Sequence, residues 1–285
     1  MSEVFRLTIA CPDRVGIVAA VANYVAEMGA TIVEANHHTD TVNGWFFMRH
    51  EILKSSVPGG EAAFRTGFEA IAAQFNMRWQ LTDSSRPKRI ALFVSKEGHC
   101  MADLLHRWHE KDLPGEIACV LSNHETLKEQ AQWYKVPFHH VPVTPENKPQ
   151  AFARAFELVE QYDIDVVVLA RYMQILPPEI CSAYAGRVIN IHHSFLPSFA
   201  GARPYHQAYE RGVKLIGATC HYVTEVLDAG PIIEQDVIRV NHSHTIEDMR
   251  RLGRDVEKTV LARGLRYHLE DRVLIHGNKT VVFAN

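Results

Sequence analysis

The chain has 285 residues and a net charge of −3, and 47% of its residues are hydrophobic and 22% charged. This balance is typical of a globular protein and does not favour binding to nucleic acid or to an anionic membrane. No apolar run approaches the ~18 residues of a membrane span, and the N-terminus lacks a signal-peptide pattern, so neither membrane nor export is expected. Five scattered cysteines without a C-x-x-C pair indicate buried thiols in a reducing cytoplasm.

The first 84 residues alternate strand and helix patterns in the order βαββαβ. This order is that of a ferredoxin-like domain. An Asn43-Gly44 pair predicts the hairpin turn between the second and third strands. The predicted strands are 5–10, a strand starting at 31, 45–53 and 77–81, and the predicted helices are 17–28 and 61–75.

A polar, proline-containing linker at residues 82–89 separates this part from a second α/β domain, and we place the boundary between residues 84 and 85. Beyond it, continuous apolar strands alternate with helices, which predicts a doubly wound, mostly parallel sheet covered on both faces. A hairpin-like extension (215–222 and 232–240) and a long helix from about residue 245 to 270 follow. The predicted strands are 90–94, 117–121, 166–170 and 188–192, and the helices between them are 101–109, 126–135 and 149–162.

Asn190 and His192 lie on the last of these strands, and Asp228 follows in a loop that ends in Gly-Pro. Residues two apart on a strand point to the same face, so the amide and the imidazole are expected side by side. Together with a carboxylate they provide an oxyanion donor, a proton shuttle and a base or orienter, as acyl transfer requires. No nucleophilic Ser or Cys accompanies them, which predicts direct transfer without an acyl-enzyme.

The seventeen histidines suggest a metal site at first sight, but their pattern argues against one. Three adjacent pairs begin at His37, His139 and His192, and neighbouring side chains on a strand point to opposite faces. The sequence also has no H-E-x-x-H motif. We therefore expect neither a metal nor another cofactor.

Three segments then carry a resemblance to a known family: residues 190–197 with Gly201, residues 217–219, and residues 228–233. They resemble the formyltransferase fold that uses 10-formyltetrahydrofolate, over roughly residues 88–285. The resemblance implies that Asn190, His192 and Asp228 form the catalytic set. It also implies a folate pocket lined by Arg171, Met173, Ile175, Leu176, Val223 and Thr224.

The N-terminal residues 1–84 resemble an ACT domain, a ferredoxin-like module that often binds amino acids at a dimer interface. The resemblance implies an amino-acid effector site at Asp13, Arg14, Gly16 and Asn36, and a homo-oligomer. An ACT domain followed by a formyltransferase-fold domain resembles the formyltetrahydrofolate deformylase family. That family implies a hydrolase of a linear amide C–N bond, which converts 10-formyltetrahydrofolate to formate and tetrahydrofolate, supplies formate to purine synthesis and balances one-carbon pools.

The loop at residues 95–100 concerns the formyl acceptor. Glycinamide ribonucleotide transformylase, of the same fold, has a Gly- and Asn-rich loop here that holds the acceptor's phosphate, whereas this loop contains Glu97 and the bulky His99. A carboxylate and lost space argue against a nucleotide acceptor and favour water. Residues expected on the acceptor side or in nearby pocket loops are Lys96, His99, Ser194 and Arg203.

Two other functions remain open from the sequence. The first is formyl transfer from 10-formyltetrahydrofolate to a non-nucleotide amine, because losing a phosphate loop does not exclude other amines. The second is a non-enzymatic amino-acid sensor, against which the intact Asn/His/Asp set argues. Whether Asp228 accepts the proton of water or sets the protonation state of His192 also remains open.

Overall fold

The computed structural model describes residues 2–198 and 204–284. They divide into two compact units, of which the first contains the residues up to Pro87, residues 270–276 and the residues from Val281. The second unit contains Lys88–Leu269 and Gly277–Thr280. None of the helices described combines the length and the apolarity needed to cross a bilayer.

In the first unit, an antiparallel sheet packs against two helices. The strand order is β2-β3-β1-β4, and Leu7, Met48, Phe64 and Phe68 are among the residues that fill the core between sheet and helices. The predicted βαββαβ order is the one observed. Its elements are β1 (Val4–Pro12), α1 (Ile17–Glu27), β2 (Ile32–Asp40), β3 (Trp45–Leu53), a 3₁₀ turn (Lys54–Ser56), α2 (Gly60–Gln74) and β4 (Arg78–Asp83).

The second unit is built on a mostly parallel sheet of strand order β11-β10-β9-β8-β5-β6-β7, in which β10 and β11 pair antiparallel at one edge. The predicted sheet and its hairpin extension are confirmed. Its elements are β5 (Lys88–Val94), α3 (His99–His109), β6 (Gly115–Ser122), α4 (Lys128–Trp133), β7 (Phe138–His140), α5 (Lys148–Gln161), β8 (Val166–Leu169), α6 (Pro178–Ala183), β9 (Val188–His192), α7 (Pro204–Arg211), β10 (Leu215–Tyr222), β11 (Ile232–Arg239) and α8 (Ile246–Leu269).

The sequence did not predict the short elements β7, α6 and α7, because three to eight residues give too little periodicity to recognise. It also missed the C-terminal hairpin of β12 (Val273–His276) and β13 (Lys279–Val282). Within the first unit, the fully buried Arg49 donates a hydrogen bond of 2.9 Å to the carbonyl of Glu270, and Leu274 packs on Phe47. The C-terminal residues thus cover the sheet face opposite α1 and α2.

The strand order of the second unit determines where its ligand crevice lies. The chain leaves β5 for β6 on one side and later returns to β8 on the other side of β5. Crevices form at such a reversal, beyond the carboxyl ends of the strands. Ser95 directly follows β5, Arg171 is the second residue after β8, and His192 ends β9, so these residues lie at the same sheet edge.

Candidate active site

Asn190 is positioned by a histidine on the neighbouring strand. The antiparallel register of β9 and β10 places Asn190 opposite His221. Nδ1 of His221 donates to the carbonyl of Tyr222 at 2.8 Å, so its Nε2 is the unprotonated nitrogen and accepts from Nδ2 of Asn190 at 3.2 Å. Burial lowers the pKa of His221, which keeps the ring neutral. This contact orients the amide of Asn190 and leaves its second N–H for another acceptor.

His192 and Asp228 form a close pair. Nδ1 of His192 lies 3.2 Å from Oδ1 of Asp228, and the side chains are 6% and 11% exposed. Burial by itself would raise the pKa of Asp228, but the hydrogen bond and charge of His192 outweigh it and lower that pKa, so the carboxylate is ionised. Nε2 of His192 is buried and has no hydrogen-bond partner among the described residues. The imidazole therefore has one nitrogen held by Asp228 and one available to a ligand.

A cavity of about 410 Å³ is lined by the side chains of Asn190, His192 and Asp228. The six residues predicted for the folate pocket line the same cavity, and so does His221. Met173 and Ile175 are more than half exposed, whereas Leu176 is buried, so the lining runs from an apolar rim to an enclosed interior. The nine predicted residues that the structure brings together are Asn190, His192, Asp228, Arg171, Met173, Ile175, Leu176, Val223 and Thr224.

Arg171 borders the cavity but is held by carboxylates. Its backbone is left-handed, with φ of 65°, and its side chain is 8% exposed. The guanidinium lies 3.3 Å from Glu97 and 3.5 Å from the fully buried Glu257. Glu257 was not among the predicted residues. The signal that could have found it is an acid among the apolar residues Val256, Val260 and Leu261 that α8 buries.

Three of the four residues predicted for the acceptor side are described by the structure. Lys96 is exposed and does not line the cavity. His99 is the first residue of α3, and its Nε2 lies 2.7 Å from Glu257. Ser194 is buried and donates to the carbonyl of Ser198 at 2.9 Å, a contact that stabilises the loop after β9. Arg203 lies outside the described residues.

Comparison with known proteins agrees with this geometry. The family model "Formyl transferase" matches residues 88–265. The chain is 50% identical over 279 residues to the formyltetrahydrofolate deformylase of Bacillus subtilis, which covers 98% of this chain and 93% of that protein. The chain belongs to the formyltetrahydrofolate deformylase family. The predicted family is therefore confirmed.

Solved structures extend the similarity to the whole fold. The crystal structure of a formyltetrahydrofolate deformylase from Pseudomonas syringae pv. tomato superposes with a TM-score of 0.98 at 62% identity, covering 99% of this chain and 95% of that one. The crystal structure of glycinamide ribonucleotide transformylase 1 from Symbiobacterium toebii gives a TM-score of 0.65 at 33% identity. It covers 71% of this chain and 97% of its own, so the formyltransferase fold accounts for only part of this chain.

The residues predicted for an effector site are divided within the first unit. Gly16, with φ of 96°, precedes α1, and Arg14 donates to the carbonyl of Gln74 at 3.2 Å. Asp13 and Arg14 are exposed in the same turn. Asn36 pairs in register with Arg49 on the sheet face opposite α1. These residues of one chain therefore do not form a single cluster.

One group of side chains has metal-ligating atoms close together. In the described part of the chain, the donor atoms of His99, Cys100 and Glu257 lie within 4.8 Å of one another. Burial raises the pKa of Cys100 well above its usual range, so the thiol is protonated, and the guanidinium of Arg171 already neutralises Glu257. A protonated thiol and an adjacent cation fit a divalent metal poorly.

Proposed function

We propose that this chain hydrolyses 10-formyltetrahydrofolate to formate and tetrahydrofolate by direct attack of water on the formyl carbon. The observation that carries this proposal is the meeting of Asn190, His192 and Asp228 in one cavity of a deformylase-family chain. The enzyme is then a hydrolase of a linear amide C–N bond. It supplies formate to purine synthesis and balances the one-carbon pools.

Asn190 stabilises the charge that develops on the formyl oxygen. Attack of water turns the carbonyl oxygen into an oxyanion, and the free N–H of Asn190 donates to it. Because His221 holds the amide in place, the donor needs no reorganisation when the charge forms. One such donor is worth about 10²–10³ in rate.

His192 and Asp228 move the protons. Oδ1 of Asp228 holds Nδ1 of His192, which directs Nε2 into the cavity. The carboxylate accepts the proton that water loses as its oxygen bonds to carbon. Nε2 of His192, in the imidazolium form, donates its proton to the amine nitrogen as the C–N bond breaks, so tetrahydrofolate leaves as a neutral amine. The formic acid formed gives its proton back to Nε2 and leaves as formate, and Asp228 releases the proton of water to solvent, which restores both groups. In this scheme Asp228 serves both as orienter and as base.

The folate's ring system binds between the two loops of the cavity. Met173, Ile175 and Leu176 come from the loop after β8, and Val223 and Thr224 from the loop after β10. A cavity of about 410 Å³ falls in the range of pockets that take drug-sized ligands, and an apolar lining with few polar groups suits a flat heterocycle.

Formate release from 10-formyltetrahydrofolate, measured with purified protein and no added acceptor, tests the proposal. We expect catalytic release of formate and tetrahydrofolate in equal amounts. Release only when an amine is added would replace hydrolysis with formyl transfer to a non-nucleotide amine. No turnover with any acceptor would favour the amino-acid sensor.

For the N-terminal part we propose an ACT-type regulatory and oligomerisation domain, residues 1–84, followed in sequence by the predicted catalytic domain, residues 85–285, although residues 270–276 and those from Val281 pack in the first unit. Its fold order and the exposed turn at Asp13 and Arg14 support this proposal. An amino acid of one-carbon metabolism such as Met, Gly or Ser would be the effector, in a homo-oligomer located in the cytoplasm. Stabilisation by none of these amino acids in a thermal-shift panel would contradict effector binding.

A further inference from the structure

Four side chains of the second unit form a buried polar cluster, which we call the Glu257 cluster: His99, Arg171, Tyr205 and Glu257. Glu257 is 1% exposed and lies at its centre. Its Oε1 accepts from the hydroxyl of Tyr205 at 2.8 Å, and its Oε2 lies 2.7 Å from Nε2 of His99 and 3.5 Å from Nε of Arg171.

The burial of Glu257 in α8 is energetically unfavourable if its only role is to fill space. Burying a carboxylate costs several kcal/mol, and an apolar side chain of similar volume commonly fills such a site as well or better. The same helix also has Gly253 one turn earlier, where a Cβ atom would overlap the hydroxyl of Tyr205. A glycine inside a helix costs about 1 kcal/mol relative to alanine. Two unfavourable residues therefore combine to bring Tyr205 to Glu257.

The Glu257 cluster forms a layer directly behind one wall of the catalytic cavity. Arg171 and His193 line that wall next to His192. The ring of His193 is 5.4 Å from the ring of His192 and 5.9 Å from the ring of Tyr205, which belongs to the cluster. The space behind Arg171 and His193 is thus occupied by Glu257 and by the two side chains that contact it, Tyr205 and His99.

We propose that the Glu257 cluster selects water as the formyl acceptor by filling the space that the substituents of an amine acceptor would need. This inference rests on the proposed hydrolysis and adds the reason for its acceptor. Water occupies only about 30 Å³, whereas an amine must bring its carbon substituents to the formyl carbon. Arg171 is also neutralised by Glu97 and Glu257, so it offers no unpaired charge to an anionic acceptor.

The test compares two substitutions of the central residue, with glycinamide as the amine probe. Glu257→Ala removes the side chain that holds the cluster, whereas Glu257→Gln keeps its volume and an oxygen that accepts from Tyr205. Formate, N-formylglycinamide and tetrahydrofolate are measured together. We expect formate as the main product of wild type and Glu257→Gln, with at most a trace of N-formylglycinamide. In Glu257→Ala the ratio of N-formylglycinamide to formate should rise at least about tenfold, a factor that a change in pocket volume can supply.

His99→Ala provides a second opening that does not depend on Glu257→Ala folding. His99 is at the edge of the cluster with a side chain 13% exposed, so its loss leaves Glu257 paired with Tyr205 and Arg171. His99→Gln is its matched control, and melting temperatures establish that each variant is folded. A wild-type product ratio in every folded opening variant overturns the acceptor proposal. Wild type without any acceptor-independent formate release overturns the proposed hydrolysis instead.

Discussion

Replacing Asp228 with asparagine removes a charge from the candidate active site with almost no change of shape. Asp228 has a left-handed backbone, with φ of 54°, and asparagine adopts that conformation as readily as aspartate does. The oxygen of the new amide can still accept from Nδ1 of His192. We therefore expect Asp228→Asn to fold, with a melting temperature close to that of wild type.

The catalytic loss should be large because the charge is fully present at neutral pH. Contact with His192 holds the pKa of Asp228 below its usual range in spite of burial. A positioned general base contributes about 10²–10⁴ in rate, which corresponds to about 3–5 kcal/mol of activation free energy. We expect kcat to fall by that factor and KM to stay within about threefold, because Asp228 acts on water and on His192 rather than on the folate ring.

Formate release under saturating 10-formyltetrahydrofolate is the assay, and Asp163→Asn is the matched control. Asp163 is exposed, has φ of 50° and does not line the cavity, so the control repeats the chemical change on the same backbone conformation. Wild-type activity should be lost as the pH falls through the lowered pKa of Asp228, where the carboxylate becomes protonated. Retention of more than about a tenth of kcat by folded Asp228→Asn, or a loss confined to KM, would show that Asp228 is not the base.

Three further predictions concern the site and the first unit. His221→Phe removes the acceptor that holds Asn190, so kcat should fall about 2- to 13-fold, the worth of one hydrogen bond, with partial rescue by His221→Gln; unchanged kcat would contradict the positioning role. Met173→Ala should raise KM by up to about tenfold at constant kcat in steady-state assays, since it removes apolar contact to the folate; an unchanged KM would exclude Met173 from binding. Burial and His37 lower the pKa of His50 to about 4, and neither ring nitrogen of His50 has a hydrogen-bond partner among the described residues. The unfolded chain therefore binds a proton below pH 6.5 that the folded chain does not. The free energy of unfolding is unaffected above that pH and declines as the pH falls from 6.5 toward the folded-state pKa of about 4. His50→Met should remove this loss of stability in acid, so that in denaturant titrations at about pH 5 it recovers about 2 kcal/mol of unfolding free energy that wild type loses. Parallel pH profiles of stability for the two proteins would contradict this prediction.

The catalytic strand shows how much of the site could be predicted from local pattern. Side chains alternate along any strand, so Asn190 and His192 had to share a face once β9 was recognised. The catalytic role of Asp228 was predicted from its place in a loop that ends in Gly-Pro and from the family resemblance. The predicted pocket residues also lie on two short segments, each directly after a predicted strand, which is where an α/β sheet binds ligands.

His221 and Glu257 show why the rest could not be predicted. His221 reaches Asn190 only because β10 runs antiparallel to β9 in one particular register, and a shift by one residue would turn it to the other face. Glu257 meets His99 across 158 positions of chain, through the packing of α8 against α3. The apolar neighbours of Glu257 in α8 indicate a buried acid, but nothing in them identifies His99 as its partner, and the residues around His221 do not identify Asn190.

Local sequence was enough to predict the order of strands and helices, the presence of a βαββαβ part and an α/β part, and the family. These depend on hydrophobic periodicity and on short motifs, which are properties of neighbouring residues. Three contacts are visible only in the folded chain: His221 holds Asn190, Glu257 lies behind Arg171, and the C-terminal residues near Glu270 cover the first sheet. These contacts arise when strand register and helix packing bring distant residues together, because buried polar groups are stable only where they find hydrogen-bond partners.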